Sequence, residues 1–271
     1  MNPKTLNAFL LKSVKTNDLA QTEKILNLGA NPNHTDVDGI SVIEHAYSLN
    51  KLKQVVKLMN HGASYTFLQN VLNKACMDND LNTVKFCIDQ CKIDQNVINS
   101  NPTLLHRFCW EICDYTPLCF SIWNRMIELF LYLVEHPKTN INTITYSGES
   151  ALSIACFRND FFIVKKLLSL GASLKVYDIE GIGIFARTVI MSEHKCLELL
   201  IEYCDLEDIN HQCKKGFTPI IYAIKIKNIV AIDLLLKKGA NIRIRSKERK
   251  SAIDYARNNG LTNTLLKLLT K

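Results

Sequence analysis

The sequence predicts an all-α solenoid of about seven to eight helix-turn-helix units joined by short β-hairpin-like fingers. Three observations predict it. Four Gly-Ala pairs each close an apolar helical stretch, in ILNLGANPN (25–33), LMNHGASY (58–65), LLSLGASLK (167–175) and LLKKGANIR (235–243). Their spacing is regular: Gly29 to Gly62 is 33 residues, and Gly171 to Gly239 is 68, or two units of 34. A second marker keeps the same phase, a Gly two residues before the next helix start, in DVDGISVIEHA (36–46), YSGESALSIA (146–155), DIEGIGIFA (178–186) and CKKGFTPIIYA (213–223).

Each unit parses in one order. A turn with Gly leads to a short first helix that begins at Ser or Thr, as in Thr218-Pro219-Ile220. Thr218 is expected to cap that helix, and Pro219 takes the first helical position, where a missing N–H has no consequence. A break near Asn-Asp or Lys-Asn follows. The second helix then carries paired apolar residues, such as Val164, Leu167 and Leu168, or Ile232, Leu235 and Leu236. Gly ends it, because the chain there needs a positive φ that a side chain would strain.

The stretch TPIIYAIKIKNIVAIDLLLKKGANI resembles an ankyrin repeat, and the family's period of about 33 residues runs through nearly the whole chain. The resemblance implies one ankyrin-repeat solenoid domain with units near 5–35, 36–65, 66–98, an irregular 99–142, then 143–175, 176–210, 211–243 and a C-terminal cap at 244–271. Residues 99–115 break the period and read as an insertion, an extra helix or a long finger. Pro137 stands where the family's Gly usually sits. The unit at 176–210 departs further, with Gly183 in place of Ser/Thr and Cys204 in place of the closing Gly. The last unit, SAIDYARNNGLTNTLLKLLTK, has the polar face a capping repeat needs.

Composition bounds the function classes. The chain of 271 residues is 47% hydrophobic and 22% charged, far from a disordered composition. No apolar run approaches the roughly 18 residues of a membrane span, and the start MNPKTLNAFLLKSVKTNDL lacks the features of a classical signal peptide. The ten cysteines fall mainly in helix-period apolar segments and read as reduced, packed thiols of an intracellular protein. The net charge of +7 is concentrated: from Cys213 onward 14 Lys/Arg oppose three acids, a balance of +11, leaving about −4 for the rest.

Candidate chemistry is sparse. GIGIFA (181–186) has the form G-x-G-x-x-A, but its flanks are in repeat register and Gly181 coincides with the turn glycine. His106, Cys109, Cys113 and Cys119 could contribute to a zinc site, yet the C-x2-C spacing is missing and packing explains them as well. No P-loop, G-x-S-x-G or H-E-x-x-H signature occurs, so neither enzyme nor cofactor is expected. Asn33, Asn142 and Asn210 match the position at which eukaryotic asparaginyl hydroxylases modify ankyrin repeats; an Asn bonding its own turn is the alternative.

The resemblance implies non-enzymatic protein binding through fingers and concave first helices. Its recognition-bearing positions, laid on this sequence, include Tyr115, Trp123, Tyr146, Phe157, Arg158, Ile179, Lys214, Lys215, Phe217 and Lys225; the insertion adds Trp110 as a candidate anchor, and the basic finger adds Arg243 and Arg245. Aromatic and Arg residues dominate interface energetics. The implied partner is another protein with an acidic patch beside an apolar one. The alternative is nucleic acid or anionic lipid held by the basic end, a phosphate-driven and salt-sensitive mode. Richness in Ile, Lys and Asn suggests an AT-rich genome. The resemblance to ankyrin proteins of that composition, common in intracellular bacteria and large DNA viruses, implies a cytoplasmic protein or a host-directed effector acting in the host cytoplasm or nucleus. Finally, RIRSKERK (243–250) reads as a finger that carries cations on a rigid edge, with a nuclear-targeting signal as the alternative.

Overall fold

The computed structural model describes residues 2–97, 115–191 and 194–262. The insertion predicted in the irregular unit therefore lies outside the described residues except for Tyr115. The chain folds as two compact units, one of residues 1–95 and one of residues 96–271.

The first unit holds three helix pairs: α1 (Pro3–Thr16) with α2 (Leu19–Asn27), α3 (Val42–Ser48) with α4 (Leu52–Asn60), and α5 (Thr66–Met77) with α6 (Leu81–Lys85). The last helix passes directly into a wider π turn, Phe86–Gln90. The second unit holds α7 (Pro117–Trp123) with α8 (Ile127–Glu135), α9 (Ala151–Phe157) with α10 (Phe161–Ser169), and α11 (Ile184–Ile190) with α12 (His194–Tyr203). A one-turn α13 (Leu206–Ile209) follows, then α14 (Pro219–Lys225) with α15 (Ile229–Lys237), and α16 (Ala252–Asn258). The described residues form no strands; the fingers show only single bridges, Thr35 to Ser41 and Tyr177 to Gly183. The expected all-α class stands.

Local chemistry sets these boundaries. At the joint between the helices of a pair stands a residue in the left-handed region: Asn17, Asn50, Asn79, Arg125, Asn159 or Lys227. Asn tolerates that region better than most side chains. At several joints the next residue then caps the second helix: Asp18 accepts from the Gln21 N–H at 2.9 Å, Asp160 from Ile163 at 3.1 Å and Asn228 from Ala231 at 3.0 Å. First helices start at Ser41, Ser150 and Ser251 with full capping boxes. At α14, Thr218 holds the N-cap position and Pro219 is the first helical residue, as expected. The Thr218 side chain, however, makes no capping bond.

Packing follows the repeat. In the second unit the first helices α7, α9, α11, α14 and α16 pack in succession, and the second helices α10, α12 and α15 pack behind them. Leu152, Ile154, Ile163, Leu167, Ile220 and Ile232 are wholly enclosed between these rows. One helix pair could not bury such a face alone, which is why neighbouring units are needed.

Both glycine markers occupy the left-handed region, Gly29, Gly62, Gly171 and Gly239 at φ +91°, +87°, +81° and +95°, and Gly39, Gly148, Gly181 and Gly216 at +78°, +83°, +71° and +75°. The departures have local solutions. Before Pro137 the chain leaves α8 extended at His136, ψ 126°. After α12 the buried Cys204 replaces the glycine stop, and α13 adds a turn capped by Asp205. Gly183 lets the Tyr177 ring pass closely, because a Cβ there would lie 3.3 Å from it.

Candidate partner-binding surface

The fingers are built around short polar side chains that hold their own backbone. In the second unit Asp178 Oδ1 accepts from the N–H groups of Glu180 and Ile182, both at 2.8 Å. A side chain nine residues on, in the first helix, completes the finger. His45 meets Asp36 at 2.6 Å, Arg187 Nη2 donates to Asp178 at 3.1 Å, Tyr222 lies 3.5 Å from the Cys213 thiol, and Tyr255 meets Ser246 at 3.0 Å. The His45 hydrogen bond holds the Asp36 carboxyl below its usual range.

Neighbouring fingers are also tied through the backbone. The Lys214 N–H donates to the Glu180 carbonyl at 2.9 Å, and the Lys247 N–H to the Lys215 carbonyl at 3.1 Å. The three asparagines expected at the unit ends accept hydrogen bonds across repeats, and Asn210 also donates to the Leu206 carbonyl of its own turn at 2.8 Å. Asn33 accepts from the Ser64 N–H at 2.6 Å, Asn142 from Ser173 at 2.8 Å and Asn210 from Asn241 at 2.7 Å. An Asn bonding its own turn is thus seen at Asn210, while at all three positions the N–H of the next turn is a donor.

Four fingertips of the second unit present the same position. It is Tyr146 after Thr145, Ile179 after Asp178, Lys214 after Cys213 and Lys247 after Ser246. Tyr146 is 69% exposed and Ile179 67%. Lys214, Lys215, Lys247 and Arg249 are exposed on the two later tips. Of the acids here, Glu248 is paired with Lys250 at 3.1 Å, and Glu180 sits beside Ile179. The row thus changes from apolar to cationic along one edge.

A second cluster lies at the ends of the first helices. Trp123 closes α7 and Phe157 closes α9, and their rings stack at 5.7 Å and 11°. The Arg158 guanidinium lies 5.4 Å from the Trp123 ring centre. Tyr115 packs on Trp123 at 5.8 Å. Its hydroxyl donates to Glu149 at 3.1 Å, and Glu149 in turn accepts from Arg187 Nη1 at 2.7 Å. Burial opposes the charge of Arg187, but the two carboxylates outweigh it and its pKa is raised.

Two of the expected contact residues need correction. Tyr115 is 5% exposed and Phe217 7%, so neither offers a surface anchor. Tyr115 is enclosed by Trp123 and its bond to Glu149. Phe217 sits between Tyr222 and Tyr255, edge-on to both at 5.6 and 5.7 Å. Lys225 remains exposed with its amine 4.4 Å from the Phe217 ring centre. Trp123 and Arg158 are half-buried, Phe157, Arg243 and Arg245 are exposed, and Arg245 donates to the Arg249 carbonyl at 2.7 Å. Trp110 lies outside the described residues. Lys247 and Arg249 were not singled out from the sequence, although they stand in the same basic run; only the finger register distinguishes them from Arg243.

Among the described residues no group of three or more His, Cys, Asp or Glu side chains is placed to hold a metal ion. His106, Cys109 and Cys113 lie outside the described residues; Cys119 is buried, and burial pushes its thiol up to about 11. The GIGIFA segment forms a finger turn and the start of α11, with Gly181 N–H donating to the Asp178 carbonyl at 2.8 Å. No helix among the described residues is long and apolar enough to cross a membrane.

Comparison with known proteins agrees with this architecture. Two descriptions of the same family match, ankyrin repeats (3 copies) over residues 72–178 and ankyrin repeats (many copies) over residues 200–256. The chain is 31% identical over 121 residues to an ankyrin repeat protein of Acanthamoeba polyphaga mimivirus, covering 43% of this chain and 16% of that protein. It is 29% identical over 146 residues to the human transient receptor potential cation channel subfamily A member 1, covering 52% and 13%. A 26S proteasome regulatory subunit of Saccharomyces cerevisiae is 28% identical over 148 residues, covering 53% and 64%. The matched segment is thus less than two thirds of each of these relatives. With helix pairs, finger turns and glycine stops all in one register, and with both matches naming the same repeat, the chain belongs to the ankyrin repeat family.

Proposed function

We propose that this chain is a non-enzymatic scaffold that holds a partner protein on the fingertip edge of its second unit, with the Trp123–Phe157–Arg158 cluster as an adjoining contact. Ankyrin repeats are generally protein–protein interaction modules. The observation that carries the finer reading is the fingertip row, where exposed Tyr146 and Ile179 are followed by Lys214, Lys215 and Lys247. Exposed apolar side chains on a rigid turn add nothing to folding, and a matching partner surface would be apolar beside acidic. The host-directed effector reading rests on composition and on the likeness to the mimivirus protein.

The test is capture from lysate by the wild-type chain, read against a Tyr146→Ala/Ile179→Ala variant and a Trp123→Ala/Phe157→Ala variant. A partner lost by either variant while folding is retained, and kept at raised salt, supports the proposal. Nucleic acid or anionic vesicles bound instead, with affinity falling steeply as salt rises, would assign the surface to the basic end alone.

A further inference from the structure

We infer that the fingertip edge takes an extended acidic segment of its partner, with anchors recurring at every third residue: two apolar side chains, then two carboxylates. This rests on the reading of that edge as a protein-binding surface. The occupant follows from geometry and charge together. Each tip offers one side chain at the same position, Tyr146, Ile179, Lys214 and Lys247, so the contacts form a line of points one repeat apart. The later tips are held in register by Lys214 N–H to Glu180 carbonyl and Lys247 N–H to Lys215 carbonyl. Packed helices stand about 8–10 Å apart, so adjacent tips repeat at about that distance. An extended polyproline II chain rises about 3.1 Å per residue with three residues per turn. Every third side chain therefore points the same way, about 9.3 Å from the last, and meets successive tips. A helix would need about six residues to travel the same distance, and residues six apart point about 240° away from each other around its axis. Its anchors would leave the line.

Charge sets the order along the row. The Tyr146 and Ile179 tips suit apolar side chains, and Glu180 beside Ile179 disfavours a carboxylate there. The following tips carry Lys214, Lys215, Lys247 and Arg249, while their neighbouring acid, Glu248, is already paired with Lys250. A segment of the form apolar-x-x-apolar-x-x-acid-x-x-acid, run in either chain direction, satisfies all four tips at once.

Fluorescence anisotropy with the full chain and labelled synthetic peptides tests this. The probe set is a Leu-x-x-Leu-x-x-Asp-x-x-Asp peptide, its reversed sequence, and two isomers of equal composition with anchors every second or every fourth residue. The expected result is binding of one triple-spaced peptide about tenfold or more tighter than either isomer. Tyr146→Ala/Ile179→Ala should weaken that peptide about tenfold or more. Lys214→Glu/Lys247→Glu should abolish its binding and favour a peptide with Lys in place of both Asp. Equal binding by all isomers, or no binding by any, overturns the inference. If peptides fail while a lysate partner still depends on Tyr146 and Ile179, the protein-binding reading stands and only the extended occupant falls.

Discussion

Gly216 turns its finger at φ +75°, and a Cβ there would stand 2.8 Å from the Lys247 nitrogen and 3.0 Å from Ser246 Cα. Two penalties coincide, left-handed backbone and contact with the next finger. Gly29 bears only the first, at φ +91° with nothing within 4 Å. Gly216→Ala should therefore lower stability by about 2–4 kcal/mol and Gly29→Ala by about 1–2 kcal/mol, read from urea midpoints. Equal losses would show that the close approach is unimportant. Arg187 is the second residue to probe, because it bridges Glu149 and Asp178 at 2.7 and 3.1 Å while a quarter exposed. Arg187→Met should remove about 1–3 kcal/mol, between exposed and buried ion pairs. Arg187→Lys should restore only part of it, since an ammonium cannot fork to both carboxylates. Full rescue by Lys would argue against the bridge.

Helix starts and fingers depend on depressed carboxylates. Asp80 is lowered by the Thr83 hydroxyl and N–H, Asp205 by the Asp208 N–H, Asp254 by the Ser251 N–H and Asp36 by His45. An unfolded Asp titrates at about 3.9. Groups with lowered folded values contribute stability that is fully present above that pH and is lost as pH falls through the folded values. Asp208 acts in the opposite sense, because burial raises it and its ionisation opposes folding as pH rises. With these four lowered groups opposed by Asp208, urea stability should fall on going from about pH 5 to pH 3. Asp80→Asn keeps a cap acceptor without the charge and should flatten that acid slope; an unchanged slope would remove Asp80 from the account.

The whole chain packs as two compact units, and cysteines report on each. Cys76, Cys87 and Cys91 in the first are buried, with thiols pushed up to about 12 by burial; Cys119 and Cys156 in the second are buried as well, Cys156 raised furthest. Native labelling at about pH 8 should therefore be slow at all five sites, since the thiolate is the reacting form. In rising urea, peptide-resolved labelling should reach the first-unit thiols before those of the second, because the smaller unit buries less surface. Simultaneous labelling would show a single cooperative transition. Within the second unit, Leu152→Ala opens a cavity in the middle of the helix stack and should lower stability by about 2–5 kcal/mol.

Much of this molecule was legible in its residues because a repeat writes the same physics many times. Each Gly marker names a place where φ must be positive, and both sets occupy that region. The helix joints carried a signal too, in Asn17-Asp18, Asn79-Asp80 and Asn159-Asp160, where a left-handed Asn precedes a capping Asp. Burial of aromatic residues was not legible: Tyr115 and Phe217 stand one residue before an N-cap, where Ile40 is exposed in another unit, and only their neighbours decide which of these face water. The across-repeat bonds of Asn33, Asn142 and Asn210 were hidden for the same reason, since their partners lie 31 residues away. Sequence by itself determined the repeat, its helices and the basic edge, because those follow from local periodicity and backbone preference. Tertiary structure alone decided which side chains stand on that edge, because exposure is set by residues a full repeat apart in the chain.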